Sequence, residues 1–181
     1  MTSPPDQLRP AVFLDRDGTI MQDVNYCARP EHVRVFSGVR EALSRLKEAG
    51  YRIIIITNQS GIGRGYFGEE DYRAVERELE RQLGDGLIDA SYFCGDTPDS
   101  GSRRRKPEPA MVFEAAREHG LDVTRSYFIG DKQIDVECGR NAGARTITVK
   151  TGKQEPPTAM GADWIARDLP EAADIILRHG L

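Results

Sequence analysis

The chain has little of what marks a secreted, membrane-bound or nucleic-acid-binding protein. Its three cysteines, Cys27, Cys94 and Cys138, form no CxxC pair, and an odd count fits reduced thiols in a cytoplasmic protein. The longest apolar run, Ile53 to Ile56, falls far short of the roughly 20 residues a membrane span requires. The opening MTSPPDQLRP is polar and broken by proline, without the apolar core of a signal peptide. Charge of one sign is also missing: 25 basic residues stand against 29 acidic ones, a net charge of -4. That leaves no basic footprint for nucleic acid. Internal repeats are absent. Low-complexity sequence is limited to the first ten residues and the Gly/Pro-rich TGKQEPPTAMG after Lys150, expected to be a flexible tail and a surface loop.

What remains is an ordinary globular composition, 39% hydrophobic and 30% charged over 181 residues, enough for one domain with a proper core. The expected organisation is a tail over residues 1–10 and a single domain over 11–181. Strands and helices alternate along it. Ala11 to Leu14 reads as a buried strand. Ser37 is placed to cap a helix carrying Val39, Ala42, Leu43 and Leu46, with Gly50 as its stop. Arg52 and the isoleucines after it suit a strand covered on both faces. A helix is expected over Glu69 to Leu83, and a strand near Ala90 to Phe93. Another helix starts near Pro109 and ends at Gly120. Ser126 to Ile129 is the next strand, followed by a short helix to Asn141 and the strand Thr146 to Val149. Trp164-Ile165 and a helix from Pro170 to about Leu177 close the chain. Such alternation predicts an α/β, Rossmann-like three-layer fold with a mainly parallel sheet, whose ligands bind beyond the carboxyl ends of the strands.

Four polar clusters sit at or near strand ends. Asp15-Arg16-Asp17-Gly18-Thr19 follows the first strand. Two carboxylates that close need a cation, and oxygen-only ligands favour Mg²⁺; a solvated acidic turn is the plainer alternative. Thr57-Asn58-Gln59-Ser60-Gly61 follows the isoleucines and offers hydroxyl, amide and backbone N–H groups to a phosphate, as ordinary turns also do. Around Arg64, glycines at 61, 63 and 65 allow close backbone approach. Arg103-Arg104-Arg105-Lys106-Pro107 is either a solvated basic loop or a proline-stiffened segment presenting one lysine. Gly130-Asp131 follows the strand ending at Ile129, with Asp135 one turn on; Asp131 completes a cation site or caps the next helix. All four plain explanations would have to hold at once, so an active site is the better reading.

In this order, DxDGT, apolar-TN, Lys and GDxxxD resemble the haloacid dehalogenase superfamily of aspartate-dependent phosphatases. The strings FLDRDGTI, TNQSGIGRG, RKPEP and IGDKQID are similar to the subgroup of D-glycero-D-manno-heptose 1,7-bisphosphate 7-phosphatases and histidinol-phosphatases, from about Ala11 to Gly152. The resemblance implies a Mg²⁺-dependent phosphomonoester hydrolase. Asp15 would be the nucleophile, forming an aspartyl-phosphate, and Asp17 the general acid and base. Thr57 and Asn58, with Gln59, would hold the phosphoryl group. Lys106 would pair with Asp15 and the phosphate. Asp15, Asp131 and the Asp17 carbonyl would hold the metal, and Asp135 would orient Lys106 or a metal water. The gaps between motifs, Gly18 to Ile56 and Ser60 to Arg105, leave no room for a folded cap domain, so loops must set specificity.

The subgroup's zinc loop of cysteines and a histidine is reduced here to Cys94, so no zinc is expected. Arg64 and Arg105 suit the second anion of a sugar bisphosphate better than the cationic amine and imidazole of histidinol phosphate, the alternative substrate. A small phosphorylated metabolite is thus the expected partner, and a monomer the expected state. A phosphoacceptor signalling module, or a non-catalytic relative that binds a partner, would have no need of the acid at Asp17. His119 and His179 are expected at helix C-termini, with Trp164, Cys27 and Cys138 in packing.

Overall fold

The run at 53–56 shows how the sheet is built. The computed structural model describes residues 8–153 and 161–180. In it, β2 (Arg52–Asn58) sends Ile53 and Ile55 into one core and Ile54 and Ile56 into another. β1 (Ala11–Leu14) divides in the same way, with Val12 and Leu14 on one face and Ala11 and Phe13 on the other. Side chains alternate with a period of two, so an unbroken apolar run can fill both faces only of a central strand.

Four more strands complete the sheet: β3 (Ala90–Cys94), β4 (Tyr127–Gly130), β5 (Arg145–Val149) and β6 (Trp164–Ala166). All pairings are parallel, in the order β3-β2-β1-β4-β5-β6. The helices are α1 (Val39–Glu48), α2 (Ser60–Gly63), α3 (Glu69–Leu83), α4 (Ala110–His119), α5 (Gln133–Ala142) and α6 (Leu169–His179). Leu43 of α1, Leu79 of α3 and Ile176 of α6 join the first core. Met111 of α4 and Cys138 of α5 join the second. The result is the expected three-layer α/β arrangement. Among the described residues, the gaps between motifs hold short loops, a 3₁₀ turn at Pro30–His32, α1 and β2 in the first, and short loops, α2, α3 and β3 in the second. No helix of the described residues is long and apolar enough to cross a membrane. The tail and the loop after Lys150 fall largely outside the described residues.

Local expectations needed three adjustments. Ser37 does not cap α1; Gly38 takes the N-cap at φ 78° without a side-chain bond, and Pro170 packs against the space where its Cβ would be. Gly61 lies within α2, a single helical turn rather than a loop. Ser126 precedes β4 instead of starting it, because its hydroxyl accepts from the Ala11 amide at 2.9 Å and donates to the Asp122 carbonyl at 2.5 Å. His119 and His179 do end α4 and α6, and Trp164 packs between Tyr127 and His179.

The start of β2 hangs on one carboxylate. Asp89 accepts from the Ile53 amide at 2.8 Å, from Arg52 at 2.7 Å and from Lys47 at 3.0 Å. Burial opposes its charge, but these donors together hold the carboxyl below the usual carboxylate range. Asp89→Ala strands the amide and should cost about 2 kcal/mol, read as a lower urea midpoint at unchanged slope.

Candidate active site

Strand order fixes where a site can form. The chain runs outward from β1 to β2 and β3, then returns to the other side of β1 with β4. Beyond the carboxyl ends of β1 and β4 the flanking connections diverge and leave a crevice. Asp15 leaves β1 there, its amide donating to the Ile129 carbonyl of β4 at 2.9 Å, and Asp131 follows β4 directly.

Lys106 ties the centre together. Its Nζ donates to Asp15 Oδ1 and Asp135 Oδ1, both at 2.7 Å, and to the Ile56 carbonyl at 2.8 Å. All three side chains are buried. Burial disfavours each charge, but Asp135 and Asp15 together keep the Lys106 ammonium firmly protonated. Burial works against the Asp15 charge too; Lys106 and, more distantly, Lys132 outweigh it and hold that carboxyl below its ordinary range. The arm carrying Lys106 is clamped by Asn58, whose Oδ1 accepts from the Lys106 amide at 3.0 Å and whose Nδ2 donates to its carbonyl at 3.2 Å. The Asn58 side chain is therefore committed to the lysine loop.

The third carboxylate is of a different kind. Asp131 Oδ1 accepts from the Thr19 hydroxyl at 3.4 Å, the Asp15 carboxyl lies against the same side chain, and its buried Oδ2 has no hydrogen-bond partner among the described residues. Burial, then the charges of Asp15 and Asp135, push Asp131 up to about 8. Asp15, Asp131 and Asp135 each bring an oxygen within 4.8 Å of one another. Of the three, Asp135 has both oxygens engaged, Oδ1 by Lys106 and Oδ2 by the Lys132 amide at 3.0 Å. That second bond fixes the start of α5, where Lys132, not Asp131, is the N-cap residue. An oxygen-only set with a charge-crowded carboxylate whose Oδ2 is unpartnered fits a hard divalent cation, with Asp15 and Asp131 offering the free oxygens.

Glycines press against these acids. A Cβ on Gly152 would come within 2.0 Å of Asp131 Oδ2, and one on Gly18 within 2.5 Å of the same atom. A Cβ on Gly130 would meet the Asp135 side chain at 2.3 Å. Gly18 also adopts φ +87°, which suits glycine alone without strain. The Thr151 hydroxyl donates to the Gly18 carbonyl at 2.7 Å, holding the segment after β5 over the site. Gly152→Ala should displace Asp131 and weaken divalent-cation binding at these acids by about 10- to 100-fold, read by titrating the cation against the thermal midpoint.

Above the buried acids lies a cleft of about 350 Å³ lined by Asp17, Tyr26, Asn58, Gln59, Arg105 and Lys132 among others. Asp17 faces it, accepting from Gln59 Nε2 at 3.0 Å; the same nitrogen reaches Thr57 Oγ1 at 2.9 Å. Arg105 lines the cleft and donates to the Asp96 carbonyl. Arg64 is exposed at the end of α2, outside that lining, with its charge toward Asp99. Arg104 is spent on Glu114 and the Phe93 carbonyl. Cys94 is buried, its thiol toward Asp96 and Ser102.

Sequence reasoning overlooked two basic residues here. Lys132 reaches toward Asp23 at 3.6 Å, and burial of its ammonium is outweighed by Asp15 and Asp131. Arg16 has no exposed surface, pairing with Asp17 and with Glu76 of α3, each at 3.0 Å. The only signal for Arg16 is its position between two acids that must turn together.

Proteins similar to this chain are HAD-like hydrolases and phosphatases. A HAD-hydrolase-like family model matches residues 103–172. A D-glycero-D-manno-heptose-1,7-bisphosphate 7-phosphatase of Thermosynechococcus vestitus is 37% identical, covering 94% of this chain and 97% of its own. The corresponding β-configured phosphatase of Yersinia pestis is 38% identical over 90% and 94%. A crystal structure of D,D-heptose 1,7-bisphosphate phosphatase from B. bronchiseptica, complexed with magnesium and phosphate, superposes with a TM-score of 0.84 at 29% identity, covering 94% of this chain and 99% of that one.

Proposed function

Because the chain belongs to the family of heptose 1,7-bisphosphate 7-phosphatases among the HAD-like hydrolases, we propose that it removes the 7-phosphate of D-glycero-D-manno-heptose 1,7-bisphosphate through an aspartyl-phosphate on Asp15. It is a phosphatase. The observation that carries the mechanism is Lys106, bonded at once to Asp15 and Asp135 beside the unpartnered Asp131 oxygen.

In this reading an Asp15 carboxylate oxygen attacks phosphorus and the bond to the sugar oxygen breaks, with Asp17 giving its proton to the departing alkoxide. Asp17 then takes a proton from water as that water attacks the aspartyl-phosphate, releasing phosphate and restoring the Asp15 carboxylate. Lys106 supports the attack by offsetting charge between nucleophile and phosphoryl group. The Thr57 hydroxyl suits the phosphoryl oxygens; the Gln59 backbone N–H already donates to the Cys94 carbonyl at 2.7 Å, and the Asn58 side chain positions Lys106. Asp15, Asp131 and the Asp17 carbonyl would hold Mg²⁺, which when bound would supply the neutralisation a carboxylate needs to approach a phosphate dianion. Asp135 orients Lys106. We take residues 11–181 as one capless domain, working in the cytoplasm and without zinc, since Cys94 has no neighbouring cysteine or histidine in its loop. Arg105, aided by Lys132, is the better candidate for the distal phosphate; Arg64 lies too far out on α2 to be preferred.

The test is phosphate release with Mg²⁺ from the heptose bisphosphate and from histidinol phosphate in parallel. Preference for the bisphosphate is expected, with loss of that preference in Arg105→Ala. Turnover of histidinol phosphate alone would overturn the substrate and leave the chemistry. A zinc-selective chelator should leave the rate unchanged.

A further inference from the structure

The proposed acid is held from behind by a buried ion pair that reaches it from another element. Arg16 Nη1 donates to Glu76 Oε1 at 3.0 Å, while its Nε donates to Asp17 Oδ2 at 3.1 Å and its Nη2 contacts the same carboxylate. The guanidinium is fully buried and lies over the Tyr72 ring, 5.5 Å from its centroid. Tyr72 and Glu76 are one turn apart on the inner face of α3, among Val75 and Leu79. The other end of Arg16 is equally fixed: its carbonyl accepts from the amides of Thr19, Ile20 and Met21 at 3.2, 2.9 and 3.3 Å. Such a fork has five N–H groups in one rigid plane, so whatever fixes one edge fixes the direction of the other.

We propose that Glu76 is a positioning residue for the reaction, acting through Arg16 to aim Asp17 at the leaving-group oxygen. The inference rests on the reading of Asp17 as the proton donor. Asp17 is held by two groups: Gln59 at 3.0 Å from one element and the Arg16 edge from another. Without Glu76, the buried guanidinium has Asp17 as its one remaining carboxylate. It then draws that side chain inward, away from the cleft that Asp17 lines. A buried charge that loses one partner takes the other more completely. Glu76 divides the claim on Arg16 and leaves Asp17 facing substrate.

A residue that positions an acid matters in proportion to how badly the leaving group needs a proton. The experiment therefore compares two esters in the full chain with Mg²⁺: the sugar bisphosphate, whose alkoxide needs protonation, and p-nitrophenyl phosphate, whose nitrophenolate leaves without it. Asp17→Asn sets the benchmark and should lose far more activity on the sugar ester than on the aryl ester. Glu76→Ala is expected to lower kcat on the sugar ester by about 30-fold, to lower it by less than about threefold on the aryl ester, and to leave both KM values near wild type. Should Glu76→Ala fold poorly by circular dichroism, Glu76→Gln keeps the volume and an acceptor but removes the charge. That variant should show the same selectivity, by at least about threefold. Equal losses on both esters, or no loss on either, overturn the proposal. If Asp17→Asn itself shows no such selectivity, the assignment of Asp17 has failed, and Glu76 as its positioning residue falls with it.

Discussion

Replacing Asp15 with asparagine should reduce phosphate release on the order of 10³-fold or more, without a matching loss of stability. Asparagine is isosteric and keeps an acceptor for Lys106, whose other bonds, to Asp135 and the Ile56 carbonyl, do not involve position 15. The pairing energy lost is offset by relief elsewhere, because Asp15 is a charge that crowds both Asp131 and Asp135. In metal-free buffer the thermal midpoint should stay within about 4 °C of wild type, equivalent to roughly 1 kcal/mol for a chain of this size. Mg²⁺ is expected to raise the wild-type midpoint, and that rise should be largely lost in Asp15→Asn, since one of the two proposed acidic ligands is gone. Turnover of Asp15→Asn at the wild-type rate would refute the nucleophile assignment. An undiminished Mg²⁺ shift would refute the metal assignment separately.

The second large effect is a competition between protons and metal. In the metal-free fold, burial and the neighbouring acids push Asp131 up to about 8, and burial with Asp15 pushes Asp135 up to about 6. An unfolded chain releases these protons near pH 3.9. Between that point and about pH 8 these two groups bind more protons in the folded chain than in the unfolded one, so their contribution to metal-free stability falls as pH rises. A divalent cation bound at the proposed site would replace the proton and remove the penalty. Its stabilising effect should therefore grow from about pH 6 to about pH 8, with apparent affinity rising up to about tenfold per unit while one proton is displaced. Thermal unfolding in Mg²⁺ and in chelator across that range reads both slopes. A Mg²⁺ shift that does not vary with pH would mean that the cation does not displace these protons. Asp15 and Lys106 run the other way, their charged forms favoured by each other, and so add little slope in this window.

The parts legible in the sequence are those that obey local periodicity or punctuation. The isoleucines of β2 declared a two-sided strand, and α3 was bounded at Glu69 and Leu83 as it stands. Asp15, Asp17, Lys106 and Asp131 stood out because unusual polar groups beside strand ends converge in a parallel sheet. What stayed hidden depends on contacts distant in sequence. Glu76 looks like one more charge in the helix EEDYRAVERELERQL, and only its place on the stripe with Tyr72, Val75 and Leu79 hints that it points inward. Lys132 was read as part of a motif spacing rather than as a cleft residue. Ser37 lost the cap of α1 to Gly38, whose left-handed turn is set against Pro170 from the far end of the chain. Asn58 offered an amide at a strand end, but nothing local reveals that both of its atoms are taken by the backbone of Lys106.

The bare backbone around the acids also bears on how this chain can evolve. Every missense change of a glycine codon adds at least one carbon. At Gly18, Gly130 and Gly152 that carbon would land 2.0–2.5 Å from Asp131 or Asp135. Drift there has no conservative first step, and no intermediate residue lies between the present one and a clash. In a saturation library selected for activity, these three columns should be as empty as those of the acids themselves, though none of the three glycines contributes a functional group.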